Sequence, residues 1–172
     1  MLDKKAFEEW VKKNKITDEG LKVIEQVRSS RPHHAVRGTL HLSGFYFSSK
    51  MGFAIQYDSA LELSLIKMLE FNPRVLEFYQ QPYPFTLSLV DQSGRSSVYR
   101  YTADFFVIWE TEAGWTECKD EERLRTLSLR YPNRYLRKNR GNWVCTPCTD
   151  FATKLGLSFT VFSSRQLHHW KI

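Results

Sequence analysis

Tyr101-Thr102-Ala103-Asp104-Phe105-Phe106-Val107-Ile108-Trp109-Glu110-Thr111-Glu112-Ala113-Gly114-Trp115-Thr116-Glu117-Cys118-Lys119 is the stretch whose reading decides the fold. Two apolar, strand-like runs, Asp104 to Trp109 and Trp115 to Lys119, flank Thr111-Glu112-Ala113-Gly114, a good turn sequence. The pattern predicts a β-hairpin. Side chains alternate along a strand, so Glu117 and Lys119 share one face while Cys118 points to the other. Folding the hairpin brings Asp104 toward the Glu117/Lys119 end, with the register left open.

Upstream, Asp58 or Ser59 starts a helix carrying Glu62 in its first turns and an apolar stripe of Leu61, Leu65, Met68 and Leu69. Asn72-Pro73 ends it. Val75 to Tyr79, Phe85 to Val90 and Ser97 to Tyr101 read as strands, with Asp91-Gln92-Ser93-Gly94 as a turn. Nearer the N-terminus, Asp3 to Asn14 reads as an amphipathic helix and Thr17 caps a second one bearing Leu21, Ile24 and Val27. Ser30 to Thr39 reads as a loop. Phe45, Phe47, Phe53, Ile55 and Tyr57 alternate around Lys50-Met51-Gly52 as a hairpin. Downstream of Lys119 the chain reads as helical and basic. Thr146-Pro147 opens a helix ending near Gly156, Leu157 to Phe162 is a closing strand, and Ser164 caps a last short helix. The order predicts an α/β fold, a mixed β-sheet flanked by α-helices, in one domain over 1–172 with its core at about 40–165 and the N-terminal helices at 1–30.

Asp104, Glu117, Lys119 and Glu62 make a set suited to phosphodiester hydrolysis. Hard carboxylate oxygens hold Mg²⁺ or Mn²⁺ and leave it several waters. Such a metal polarises the scissile phosphate and acidifies a bound water. On this reading Asp104 and Glu117 are metal ligands, Glu62 completes the shell or holds a second ion, and Lys119 orients or activates the attacking water. Each residue also has an ordinary use. Glu62, three residues after Ser59, closes a capping box; Asp104 caps a turn; Glu117 and Lys119 form a solvated pair worth under about 1 kcal/mol.

The balance of 25 Lys and Arg against 19 Asp and Glu gives a net charge of +6, which suits a polyanionic partner such as double-stranded DNA. From Arg123 to Arg140 lie seven basic residues (Arg123, Arg125, Arg130, Arg134, Arg137, Lys138 and Arg140) and no acidic one. Tyr131 and Tyr135 are interleaved and can stack on bases; a solvated helical face is the competing account. No apolar run approaches the roughly 20 residues that span a bilayer, and the start has no signal-peptide core. A cytoplasmic protein is expected. Three cysteines, Cys118, Cys145 and Cys148, fit a reduced compartment without a disulfide framework. Cys145-Thr146-Pro147-Cys148 has the spacing of a thioredoxin motif, but the 24 residues after it are too few for the remaining strands of that fold. Two packing cysteines are the expectation. A zinc site is not expected, because His33, His34, His168 and His169 lie far from the pair.

Ser59-Ala60-Leu61-Glu62, Leu69-Glu70-Phe71-Asn72-Pro73-Arg74-Val75, Gln80-Gln81-Pro82, Tyr101-Thr102-Ala103-Asp104-Phe105 and Glu117-Cys118-Lys119, in that order and spacing, resemble the N-terminal catalytic domain of the TnsA endonucleases. These are restriction-endonuclease-like nucleases of the PD-(D/E)xK superfamily. The resemblance runs from about Ile55 to Ser163, with Ala103 where the usual proline precedes the aspartate. It implies that Glu62, Asp104 and Lys119 are the catalytic triad and that Glu117 stands at the superfamily's second acidic position. Gln81, in the Gln-Pro pair, is implied to support the site from behind. The family cuts the 5′ ends of a transposon beside an integrase-type transposase, under an AAA+ ATPase. The family's second, helical domain contacts that ATPase and would lie beyond Ile172, so the resemblance leaves an AAA+ ATPase regulator as a possible partner whose direct contact is in doubt for these residues. Two other functions fit the sequence: a stand-alone nuclease of phage defence or DNA processing, and a non-catalytic DNA-binding scaffold.

Overall fold

The computed structural model describes residues 1–30, 42–90, 95–138 and 141–170. Helices α1 (Lys4–Lys13) and α2 (Asp18–Ser29) open the chain, followed by a hairpin of β1 (Gly44–Ser48) and β2 (Phe53–Tyr57). Helix α3 (Ala60–Phe71) leads to β3 (Val75–Gln80), a second hairpin of β4 (Phe85–Val90) and β5 (Ser96–Tyr101), and the central strands β6 (Phe105–Trp109) and β7 (Ala113–Lys119). Helix α4 (Glu121–Arg130), short strands β8 (Tyr135–Arg137) and β9 (Trp143–Cys145), helix α5 (Thr146–Lys154) and β10 (Ser158–Ser163) follow. A 3-10 turn, His168–Trp170, stands where a last short helix was expected. The Ser30–Thr39 loop, apart from Ser30, and the Asp91–Gly94 turn lie outside the described residues.

The sheet is mixed, in the order β3-β6-β7-β10-β9-β8. Strands β7 and β10 run in parallel, and the other neighbours are antiparallel. This is the predicted α/β, restriction-endonuclease-like architecture. Phe105, Phe106, Val107 and Ile108 of β6 are fully buried, as a central strand covered on both faces requires. One face of β7 carries Trp115, which packs on Phe85 of β4 and Phe151 of α5. Helix α3 packs toward β7 and β3, with Leu65, Ile66 and Leu69 at zero exposure. Gly114 is required by close approach: a Cβ there would stand 1.9 Å from the Ser158 carbonyl oxygen on the parallel strand β10.

Two strands escaped the sequence reading. The basic stretch after Lys119 is not one helix; it is helix α4 followed by β8, which pairs with β9 at the sheet edge. Three-residue strands carry too little alternation to be read. The N-terminal helices are held by a buried charge as well as by apolar contact. Glu77 of β3, fully buried, accepts from Arg28 Nε at 2.9 Å, the Tyr79 hydroxyl at 2.6 Å and the Leu2 backbone N–H at 2.7 Å. Trp10 Nε1 of α1 donates to the Trp109 carbonyl at 2.8 Å.

Candidate active site

The register of the central hairpin is Phe105↔Thr116 and Phe106↔Trp115. It sets Asp104, one residue before β6, against the Glu117–Cys118 end of β7. The Cys118 backbone N–H donates to Asp104 Oδ2 at 2.7 Å, so the carboxylate is tied to the neighbouring strand. On the other side, the Gln81 backbone N–H donates to the Asp104 carbonyl at 2.8 Å. Gln81 sits at φ 41°, a left-handed conformation that a glutamine rarely adopts. Its role is thus a backbone one: it ends β3 and fixes the peptide that carries Asp104.

Glu62 approaches on α3. Ser59 caps the helix, accepting from the Glu62 backbone N–H at 3.1 Å. The Glu62 carboxylate folds back to the Asp58 N–H at 3.0 Å and the Ser59 hydroxyl at 3.2 Å. The Ser59 half of the expected capping box is formed, while the carboxylate returns to the N–H one residue before the cap. The Glu62 and Asp104 charges also act on each other. Burial pushes the Glu62 carboxyl up, the Asp58 N–H opposes this, and the Asp104 charge adds to the rise. Burial likewise raises Asp104, against the Cys118 N–H and Lys119.

Glu117 and Lys119 share a face and contact each other directly, Lys119 Nζ donating to Glu117 Oε1. The other Glu117 oxygen accepts from the Tyr101 hydroxyl of β5. Burial pushes the Tyr101 phenol far up, which keeps it a donor. Lys119 is pulled down by burial; Asp104 opposes this, and Arg134 and Arg123 reinforce it. The Lys119 carbonyl accepts from the Ser164 N–H at 2.9 Å, which fixes the strand end against the end of β10. Glu117 and Lys119 are in direct contact, and the charges of Lys119 and of Glu62 each act on Asp104 at the end of the central strands. Cys118 departs from the simple alternation: although on the other face, its thiol feels Asp104 and Glu62 and is pushed well up, by burial first.

The donor set fits a divalent cation in part. Glu62 and Asp104 are half-buried carboxylates whose charged forms burial disfavours, and a cation between them would relieve that cost. Glu117 has both oxygens committed to Tyr101 and Lys119, and would have to release one to act as a ligand. Among the described residues no group of three His, Cys, Asp or Glu side chains stands close enough to hold a metal as it is.

The seven basic residues are unequal. Arg123, Arg130 and Lys138 are exposed. Arg125 pairs with Glu122 at 3.0 Å and with Glu121 at 3.7 Å. Arg137 faces Glu121 at 3.7 Å and the Trp143 ring. Arg134 is half-buried, its guanidinium over the rings of Tyr99, Tyr101 and Tyr135. Arg140 lies outside the described residues. Sequence reasoning missed Tyr101 and the internal seat of Arg134. Both depend on the hairpin of β4 and β5 folding over β7, which strand periodicity does not encode.

Residues 72–164 match the family described as TnsA-like endonuclease N terminal, more than half of the chain. The chain belongs to that family. No curated protein matches it. The match contains Gln81, Asp104, Glu117 and Lys119, and it starts after Glu62. The place of Glu62 in the site therefore rests on its approach to Asp104. Nucleases of this family are related to transposase subunits, and the TnsA-like domain of this chain is an endonuclease domain by kinship. No described helix is long and apolar enough to cross a membrane.

Proposed function

We propose that the chain is a metal-dependent DNA endonuclease that cuts the 5′ ends of a transposon as the TnsA-like subunit of a heteromeric transposase. The observation that carries the reading is the junction of Asp104 with the Glu117/Lys119 strand end, with Glu62 beside it, inside a chain of this family. Asp104 and Glu62 would hold Mg²⁺ or Mn²⁺, with Glu117 joining on release from Tyr101 or Lys119. The ion, when bound, supplies charge stabilisation at the scissile phosphate and an acidified water. Lys119, with its ammonium destabilised by burial, is suited to taking or orienting the proton of the attacking water. Arg123, Arg130 and Lys138 would meet phosphates of double-stranded DNA.

The capped position of Glu62 and the committed oxygens of Glu117 support a site that is part-assembled in the free chain. A misplacement of about 1 Å can cost about 100-fold in rate. DNA and an integrase-type transposase would select the assembled arrangement. The free chain is therefore expected to cut plain plasmid weakly.

A thermal melt tests the metal. Millimolar Mn²⁺ should raise the wild-type melting temperature and leave Asp104→Asn unmoved, since Asn keeps an acceptor for the Cys118 N–H but loses the charge. Equal melting of wild type with and without Mn²⁺ and Mg²⁺ would count against the site.

A further inference from the structure

The Arg134 guanidinium stands over three tyrosine rings, 5.3 Å from the centroid of Tyr99, 5.7 Å from Tyr101 and 5.2 Å from Tyr135. Ring contacts serve the flat faces of the cation; its N–H donors lie in the guanidinium plane and still need acceptors. Among the described residues no carboxylate forms an ion pair with Arg134, and its Nε is buried without a hydrogen-bond partner. The Tyr99 and Tyr135 hydroxyls are likewise buried and unpartnered, with Tyr135 at 1% exposure. Tyr101 differs, because its hydroxyl donates to Glu117. A buried polar atom without a partner is a cost to the fold, and three of them around one cation point to a shared ligand. The backbone that carries them is fixed. The Arg134 N–H donates to the Tyr131 carbonyl at 2.9 Å, the Arg134 carbonyl accepts from the Thr146 N–H at 2.9 Å, and Tyr135 pairs with Cys145.

A ligand that meets all three atoms must carry negative charge for the guanidinium and acceptors for the Nε–H and two O–H groups. Water brings no charge, and a carboxylate brings two oxygens for three donors. A phosphate monoester brings three acceptor oxygens and a charge that the arginine fork matches. Arg134 is half-buried, so a terminal phosphate can enter where a phosphodiester, with a nucleoside on each side, cannot follow. Tyr101 is at once a wall of this seat and a partner of Glu117, so the seat adjoins the candidate active site. We infer that Arg134, Tyr99 and Tyr135 form a seat for one phosphate monoester, the 5′-phosphate of a DNA end. The seat stands on the contacts of Arg134; its pairing with a DNA end rests on the nuclease reading. Cleavage on that reading leaves a 5′-phosphate beside Glu117 and Lys119, and the seat holds the cut end by this terminal group.

The test is a thermal melt of the full chain with inorganic phosphate, against chloride at equal ionic strength, for wild type, Tyr135→Phe and Arg134→Lys. Phosphate should raise the wild-type melting temperature. Tyr135→Phe removes one oxygen and should melt no lower than wild type in chloride, yet bind phosphate about tenfold more weakly. Arg134→Lys, which keeps the charge and loses the fork, should also bind more weakly than wild type. A wild type that ignores phosphate, or equal phosphate affinity in wild type and Tyr135→Phe, would overturn the seat. A second arm, in EDTA, compares binding of a duplex with 5′-phosphates and the same duplex with 5′-hydroxyls. Wild type should hold the phosphorylated ends more tightly, and inorganic phosphate should remove the difference. Equal binding of the two duplexes would overturn the assignment to a DNA end. Binding of inorganic phosphate with no binding of either duplex would overturn that assignment too, and would count against the nuclease reading itself.

Discussion

Glu77 shows what a single buried residue does in this fold. Its carboxylate, with no exposure, gathers Arg28, Tyr79 and the Leu2 N–H, joining β3 to α2 and to the segment that leads into α1. Removing one partner of a buried pair strands the other. Glu77→Gln is therefore expected to cost about 3 kcal/mol, read as a lower urea midpoint at unchanged slope; a loss within about 0.5 kcal/mol would show the pair to be dispensable. Nothing in the sequence marked this residue, because an acid inside a strand-like run looks solvent-facing until its distant partner is known. Asp104, Glu117 and Lys119 were legible for the opposite reason: a strand, a turn and a strand fix their neighbourhood locally. Tyr101 was not, since its contact with Glu117 crosses from a hairpin outside the main sheet.

At the level of elements, α4 is anchored at its start by Glu121. The Trp143 indole donates to it at 3.1 Å, and Arg125 and Arg137 stand nearby. Burial pushes its carboxyl up, but the Ser163 hydroxyl, Trp143 and the two arginines outweigh burial and hold it below the ordinary carboxylate range. A carboxyl lowered on folding adds stability that is full above its unfolded pKa, about 4.3, and is lost as pH falls through the folded value. Glu121→Gln should thus lower the melting temperature at pH 7, by roughly 1 kcal/mol of stability. The gap to wild type should close on acidification below about pH 4; a gap independent of pH would mean that Glu121 acts by shape alone. Helices α1, α2, α3 and α5 were legible from their caps and stripes. Strands β8 and β9 were not, because a run of arginines and tyrosines reads as a basic helix when edge pairing is out of view.

For the whole molecule, the charge of +6 divides into internal and external parts. Arg134 serves the interior among three tyrosine rings, while Arg123, Arg130 and Lys138 face outward. Replacing those three by alanine should weaken DNA binding for all sequences alike. It should also flatten the salt dependence by about one unit of slope for each phosphate left without its cation. Arg134→Ala should instead lower thermal stability. Equal salt slopes for wild type and the triple variant would return these residues to a solvated face. The central claim is that the cluster of Glu62, Asp104, Glu117 and Lys119 cuts DNA with a divalent metal. It is tested most directly by cleavage of DNA bearing a transposon end, with the chain and an integrase-type transposase together, comparing wild type with Asp104→Asn in Mg²⁺ and in EDTA. A 5′-phosphate product is expected only from the wild type in Mg²⁺; equal cutting by Asp104→Asn, or cutting that persists in EDTA, would contradict the claim.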